Sequence, residues 1–220
     1  MRTFARVISG DRSGRMVPVD VDLNVRAVGP PHSTGQGDQE GHSSETYDAR
    51  RMEQPIELDG TVSIDRVAQD FRGRGERDHS WGPRYWLIEW SFLVLNGASR
   101  RLQCVEVRFP GDGTIEMGYF NSNDGQTAEL TKVDLVVERA VDLANAAKGR
   151  CTVVTDGGTE FAFSFDAITS HEMDLSHVLD PQPPKSTYRR SLIRAVPDDG
   201  SEPLLGWLED HTYPEGLADA

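Results

Sequence analysis

The stretch YWLIEWSFLVLNGASRRLQCVEVRFPGDGTIEMGYFNSNDG, residues 85–125, decides the fold. Its apolar residues fall in short runs with period-two alternation, the spacing of strands whose successive side chains point to opposite faces. Asn96-Gly97, Asp112-Gly113 and Asp124-Gly125 lie between the runs, and each pair tolerates the positive φ of a tight hairpin. Asp156-Gly157-Gly158 repeats the signal downstream. Turns this close together join neighbours, so the pattern predicts an antiparallel meander.

Working outward, the same pattern predicts strands at Val17–Val28, Gly60–Val67, Tyr85–Leu95, Arg101–Arg108, Thr114–Phe120, Thr131–Arg139, Arg150–Val154, Glu160–Ile168, Tyr188–Val196 and Pro203–His211. The implied class is all-β: an antiparallel barrel or strongly curved sandwich with at most one or two short helices. Ala140–Lys148 is the helix candidate by propensity. His32–Ser44 reads as a mobile loop, and the prolines of Asp180–Ser186 make an extended connection. One β domain is therefore expected over 17–212, after a poorly defined segment 1–16 and before a tail 213–220.

Alternation also sorts faces. In Tyr85–Leu95, Trp86, Ile88, Trp90, Phe92 and Val94 share one large apolar face, and Leu87, Glu89, Ser91 and Leu93 share a mixed one. Phe161, Phe163 and Phe165 form a second aromatic stripe. The apolar faces are expected inside, either as packed core or as the wall of a ligand cavity, since barrels of about eight strands do both.

The 220-residue chain carries 23 basic against 36 acidic residues, a net charge of −13. That sign repels phosphate backbones and anionic lipid, which argues against nucleic acid or membrane as partner. No apolar run is long enough to span a bilayer, and the N-terminal residues lack the apolar core of a signal peptide, so the expected location is the cytoplasm. Cys104 and Cys151 sit in apolar, strand-like runs and read as buried thiols, with a disulfide between them left open.

The segment GRGERDHSWGPRYW, residues 73–86, sets Arg74, Glu76, Arg77, Asp78, His79 and Arg84 among Trp81, Tyr85 and Trp86. Charges held against apolar walls have shifted pKa values and oriented donors. If Arg77–Trp81 is extended, Asp78 and Ser80 share one face and Arg77, His79 and Trp81 the other. Neighbours that point apart cannot form a nucleophilic triad, and no G-x-S-x-G elbow is present. Proton transfer remains: a histidine such as His79 can donate or accept a proton near neutral pH, and an apolar wall can turn an aspartate such as Asp78 into a general acid. The plainer alternative is a set of structural ion pairs.

This segment resembles the calycin proteins related to carotenoid 1,2-hydratase (hydroxyneurosporene synthase). Met52–Pro55 (MEQP), Gly60–Val62, Gly118-Tyr119 and Gly206-Trp207-Leu208-Glu209 extend the resemblance in outline over residues 17–212. The resemblance implies a lipocalin-like barrel and a cofactor-free enzyme that hydrates or cyclises a hydrophobic isoprenoid, terpenoid or polyketide-like substrate. Asp78 and His79 would then be catalytic, with Arg77, Trp81, Arg84, Tyr85, Trp86, Trp90, Phe161 and Phe163 around the substrate. Hydratases of that family tend to carry Asn where this chain has Ser80. The alternative is a non-catalytic lipocalin-like carrier of a small hydrophobic ligand. The chain is short for two full barrels, so a homodimer completing the pocket is a further expectation.

Other motifs carry less. His171-Glu172-x-Asp174-x-x-His177 lacks the spacing of a zinc helix, and Gly35–Gly41 lacks the Lys-Ser/Thr of a phosphate loop. With no dinucleotide fingerprint either, neither metal nor cofactor is expected. Tyr188-Arg189-Arg190 with Arg194 makes a basic spot that either meets an acidic ligand group or balances the acidic surface.

Overall fold

The structure is a computed structural model that describes residues 1–6, 13–34, 50–82, 88–109, 111, 113–122, 126–138, 147–173 and 186–213. The chain divides into two compact units, one of Met1–Ser33 with Met52–His79 and one of Thr34–Arg51 with Ser80–Ala220. The expected single domain over 17–212 spans both.

The first unit is built on a five-stranded sheet of β1 (Arg2–Arg6), β2 (Met16–Ala27), β3 (His32–Thr34), β4 (Arg50–Ile64) and β5 (Val67–Trp81). β2 lies between β1 and β4, and β4 also pairs with β3 and β5. Cross-strand ion pairs line this sheet: Arg2 with Asp20 at 2.5 Å, Arg26 with Glu57, and Arg74 with Glu57 at 3.6 Å. β1 falls in the segment expected to be poorly defined, and β3 opens the expected 32–44 loop, whose residues 35–44 lie outside the described ones. The single strand expected over Gly60–Val67 contains a hairpin turn. Asp65 and Arg66 have φ of 51° and 70°, both positive as a type I′ turn requires. Neither residue is a glycine or asparagine, so the sequence does not announce the turn.

The second unit holds an eight-stranded closed barrel. Its strands are β6 (Glu89–Asn96), β7 (Arg101–Phe109), β8 (Gly113–Asn121), β9 (Thr127–Glu138), β10 (Lys148–Thr155), β11 (Glu160–Met173), β12 (Thr187–Pro197) and β13 (Leu204–Thr212). Each pairs antiparallel with the next, and β13 returns to β6 from Leu205↔Asn96 to His211↔Trp90. This is the predicted meander, closed. At the seam Gly206 has no room for a side chain, because a Cβ would lie 1.7 Å from the Val94 carbonyl oxygen. The adjoining turns are tied together. Arg100 reaches Asp199 at 2.6 Å, and Glu202 accepts from the backbone N–H groups of Ala98 (2.6 Å) and Ser99 (3.1 Å). Hydrogen bonds from Ser201 and Arg100 hold the Asp199 carboxyl down at about 2.

Leu93, Cys104, Leu135, Val153, Phe163, Ile193 and Leu208, from seven different strands, belong to one buried cluster, which therefore fills the lumen. Cys104 and Cys151 are both in it, as free thiols. Strand β6 reverses the expected orientation: Leu93 and Leu95 point inward, so Glu89 and Ser91 do too, and Trp90, Phe92 and Val94 point outward. The outward face is also buried, with Phe92 and Val94 at 2% and 1% exposure, in a patch shared with Val105 and Val107. With both faces buried, hydrophobicity cannot tell inside from outside.

Of the expected glycine turns, Gly113 and Gly158 adopt positive φ (88° and 78°), and Asp124-Gly125 lies outside the described residues. Gly97 does not; a Cβ there would meet Leu204 Cδ2 at 2.8 Å, so packing selects it. No helix occurs among the described residues, and none there is long and apolar enough to cross a membrane. Residues 140–146 of the helix candidate, 180–185 of the proline-rich connection and 214–220 of the tail lie outside the described residues, while Lys148 opens β10.

Phe163→Ala is expected to cost about 3–5 kcal/mol in equilibrium denaturation, the cost of deleting a large buried aromatic. Gly206→Ala should cost about 1–3 kcal/mol by prying β13 from β6. A stability equal to the parent's for either variant would show that the lumen or the seam is not packed this way.

Candidate functional site

The two ends of the barrel differ. At one, the connections 97–100, 122–126, 156–159 and 198–203 are all short; at the other, 110–112 is short but 139–147 and 174–186 are longer, and the chain enters β6 and leaves β13 there. The lumen changes character in the same direction. Cross-strand partners share a face. Glu116, Glu106, Ser91, Asp210, Arg189 and Glu172 are successive partners across β8, β7, β6, β13, β12 and β11, forming one polar row around the inside of the long-connection end. The next row inward is Gly118, Cys104, Leu93, Leu208, Ser191 and Ser170, mostly small side chains. Phe161, Phe163 and Phe165 pack ring against ring in the apolar cluster, with centroids 5.4 and 6.5 Å apart.

The polar row is cross-linked. Ser91 Oγ donates to Asp210 Oδ1 at 2.9 Å, both residues buried. Ser170 and Ser191 share a hydroxyl hydrogen bond of 2.8 Å. Arg108, the partner of Glu89, donates to it at 3.2 Å and also to Glu106. Arg189 Nη2 donates to Glu172 at 3.5 Å. Glu116 accepts from the Val133 backbone N–H at 2.6 Å, and Glu89 from that of Tyr213 at 2.9 Å. Arg108 Nη2 and Arg189 Nε are buried N–H donors with no hydrogen-bond acceptor among the described residues.

On the outward side of the same end, His211 is fully buried. Its ring stacks on Trp90 (4.1 Å between centroids) and meets the edge of Tyr213 (5.2 Å). Nδ1 lies 3.0 Å from the Ile88 carbonyl, a geometry in which it donates and leaves Nε2 as the acceptor. Burial pushes this imidazole below its ordinary 6.5, against the opposing pull of the Ile88 carbonyl, Glu89 and Asp210. Nearby Tyr188 is pushed up to about 12, first by burial and then by Glu209, which is ion-paired with Arg190.

Of the expected site residues that are described, Arg77, Asp78 and His79 belong to the first unit and Trp81, Trp90, Phe161 and Phe163 to the second. β5 runs unbroken through Trp81, so Asp78 and Ser80 share one face and Arg77, His79 and Trp81 the other. Arg77, Asp78, His79 and Trp81 are exposed, and Gly82, at φ 104°, ends the strand. Phe161 and Phe163 are inside the barrel, whereas Trp90 is on its outer wall. Arg84, Tyr85 and Trp86 lie outside the described residues, as do Asp174 and His177. The polar row escaped sequence reasoning because its members are far apart in the chain: Ser91 and Asp210 are separated by 119 positions. Arg189 was visible only as part of a basic spot; it faces inward while Arg190 faces outward.

A closed up-and-down antiparallel barrel, with an apolar lumen and a polar row at its long-connection end, defines a lipocalin-like β-barrel protein. Over residues 6–212 the chain matches the family described as "Domain of unknown function (DUF7064)", and it belongs to that family. No curated protein matches it. Among solved structures it is similar to kievitone hydratase from Nectria haematococca, with a TM-score of 0.47 and 10% identity, covering 100% of this chain and 66% of that one.

His211 generates a pH prediction. Its folded-state pKa lies below 6.5, so as pH falls through about 6.5 the unfolded chain takes up a proton before the folded one. Stability is therefore full above this window and declines as pH falls through it. Thermal melts across the range should show this decline, and His211→Gln should flatten it. An unchanged slope in the variant would assign the decline to other groups.

Proposed function

We propose that the protein binds a small, largely apolar molecule with one polar end in the barrel of its second unit, and that it adds water to it, removes water from it or closes a ring in it without a cofactor. The observation that carries this reading is the polar row set over an apolar lumen. With the neighbouring Glu89–Arg108 pair counted, this end of the barrel carries Glu89, Glu106, Glu116, Glu172 and Asp210 against Arg108 and Arg189. In a partly desolvated setting, an excess of carboxylates favours the positive charge that develops when a carbon–carbon double bond is protonated. Water then adds to the cation and loses its proton to a base, or an internal carbon adds and closes a ring.

The resemblance of residues 73–86 to carotenoid hydratases supports the same chemistry and an isoprenoid, terpenoid or polyketide-like substrate. It also nominates Asp78 and His79 as the proton-transferring residues, with Arg77, Trp81, Arg84, Tyr85, Trp86, Trp90, Phe161 and Phe163 as substrate contacts. A carrier that holds its ligand unchanged is the second reading, favoured by the solvent exposure of Asp78 and His79.

The test begins with native mass spectrometry of the purified protein and extraction of any bound molecule. That molecule, or a panel of isoprenoid alkenes, is then incubated with the protein in isotopically labelled water. Incorporation of the label, lowered about a hundredfold or more by Asp78→Asn or His79→Ala with the melting temperature retained, is the expected result. Incorporation that survives both variants but not Asp210→Asn would move the acid–base role to the barrel. A bound molecule that never changes would leave the carrier.

A further inference from the structure

We infer that the polar end of the barrel receives a neutral oxygen function, an alcohol or a carbonyl, and not a carboxylate or an ammonium group. The assignment presupposes the reading that the barrel holds a ligand. Two buried donors ask for an acceptor. Arg108 spends Nε on Glu89 and Nη1 on Glu106, and its Nη2 is buried with no acceptor among the described residues. Arg189 spends Nη2 on Glu172, and its Nε is likewise buried without one; the side chain is only 11% exposed. Guanidinium nitrogens only donate, and a buried donor left without an acceptor is costly.

The charges around these donors decide which acceptor fits. A ligand carboxylate would enter an end of the barrel already carrying Glu89, Glu106, Glu116, Glu172 and Asp210 against two guanidinium groups, and would give up its own hydration to do so. An alkylammonium suits the excess of carboxylates but has no lone pair to offer an N–H donor. A hydroxyl or carbonyl oxygen accepts from the donor and adds no charge. A hydroxyl can also donate to Asp210, which already accepts from Ser91.

The experiment is displacement of Nile red, a neutral apolar fluorophore, from the full-length protein by an alkanol, a methyl ketone, an alkanoate, an alkylammonium and an alkane of one chain length. The alkanol and ketone are expected to displace it at concentrations about tenfold or more below the other three, the fold-change of one charge-assisted hydrogen bond. Arg189→Lys and Arg108→Lys keep the charge but lose the planar fork. At least one of them should abolish the preference, read as the ratio of alkanol to alkane displacement within that variant. Equal or tighter displacement by the alkanoate or alkylammonium overturns the inference and leaves the ligand reading standing. A preference that survives both lysine variants also overturns it. If Nile red does not bind, or no competitor displaces it, the ligand reading fails and the inference falls with it.

Discussion

The second unit depends on one interface, the ladder between β13 and β6. Eight strands of a meander can lie flat, and only this pairing turns them into a tube with an inside. The register from Leu205↔Asn96 to His211↔Trp90 then places Asp210 beside Ser91, so the most buried hydrogen bond of the polar row exists only because the barrel is closed. Gly206 lets the two backbones approach, and the Arg100–Asp199 and Glu202 contacts clamp the adjoining turns. Closing the tube also removes the two strand edges that an open sheet would expose.

The lumen that results is divided along its length. Phe161, Phe163 and Phe165 make its short-connection half a solid core, and the row from Glu116 to Glu172 makes the other half polar. Arginines inside that row hold carboxylates that would otherwise be costly to bury. His211, on the outer wall, is a different kind of group: neutral, fixed by the Ile88 carbonyl, and enclosed by rings.

How far the sequence could be read depended on what each strand faces. Strands β11 and β12 have one buried and one largely solvated side over most of their length, and there alternation locates both the strands and their inner faces. Strand β6 is buried on both sides, so its larger apolar face was taken for the inner one. Strand β5 is mostly exposed and rich in glycine and charge, so it looks like no strand at all, and the Asp65-Arg66 turn before it lacks the usual residues. The chemistry of residues 73–86 could be recognised as unusual from composition. The polar row could not, because it is assembled by register from six strands, each contributing one unremarkable residue.

The seam also sets an order of events. Strands β1 to β5 are synthesised before β6, and the ladders of their sheet use no strand made later. The barrel cannot finish until Leu204–Thr212 has been synthesised, because its last strand must find its eighth-from-last. During that interval β6 waits as an unpaired edge, with Phe92, Leu93, Val94 and Leu95 in a row, the kind of segment that pairs with other chains when left open. A truncation that removes β13 would therefore do more than delete one strand: it would hold the chain at its most aggregation-prone stage.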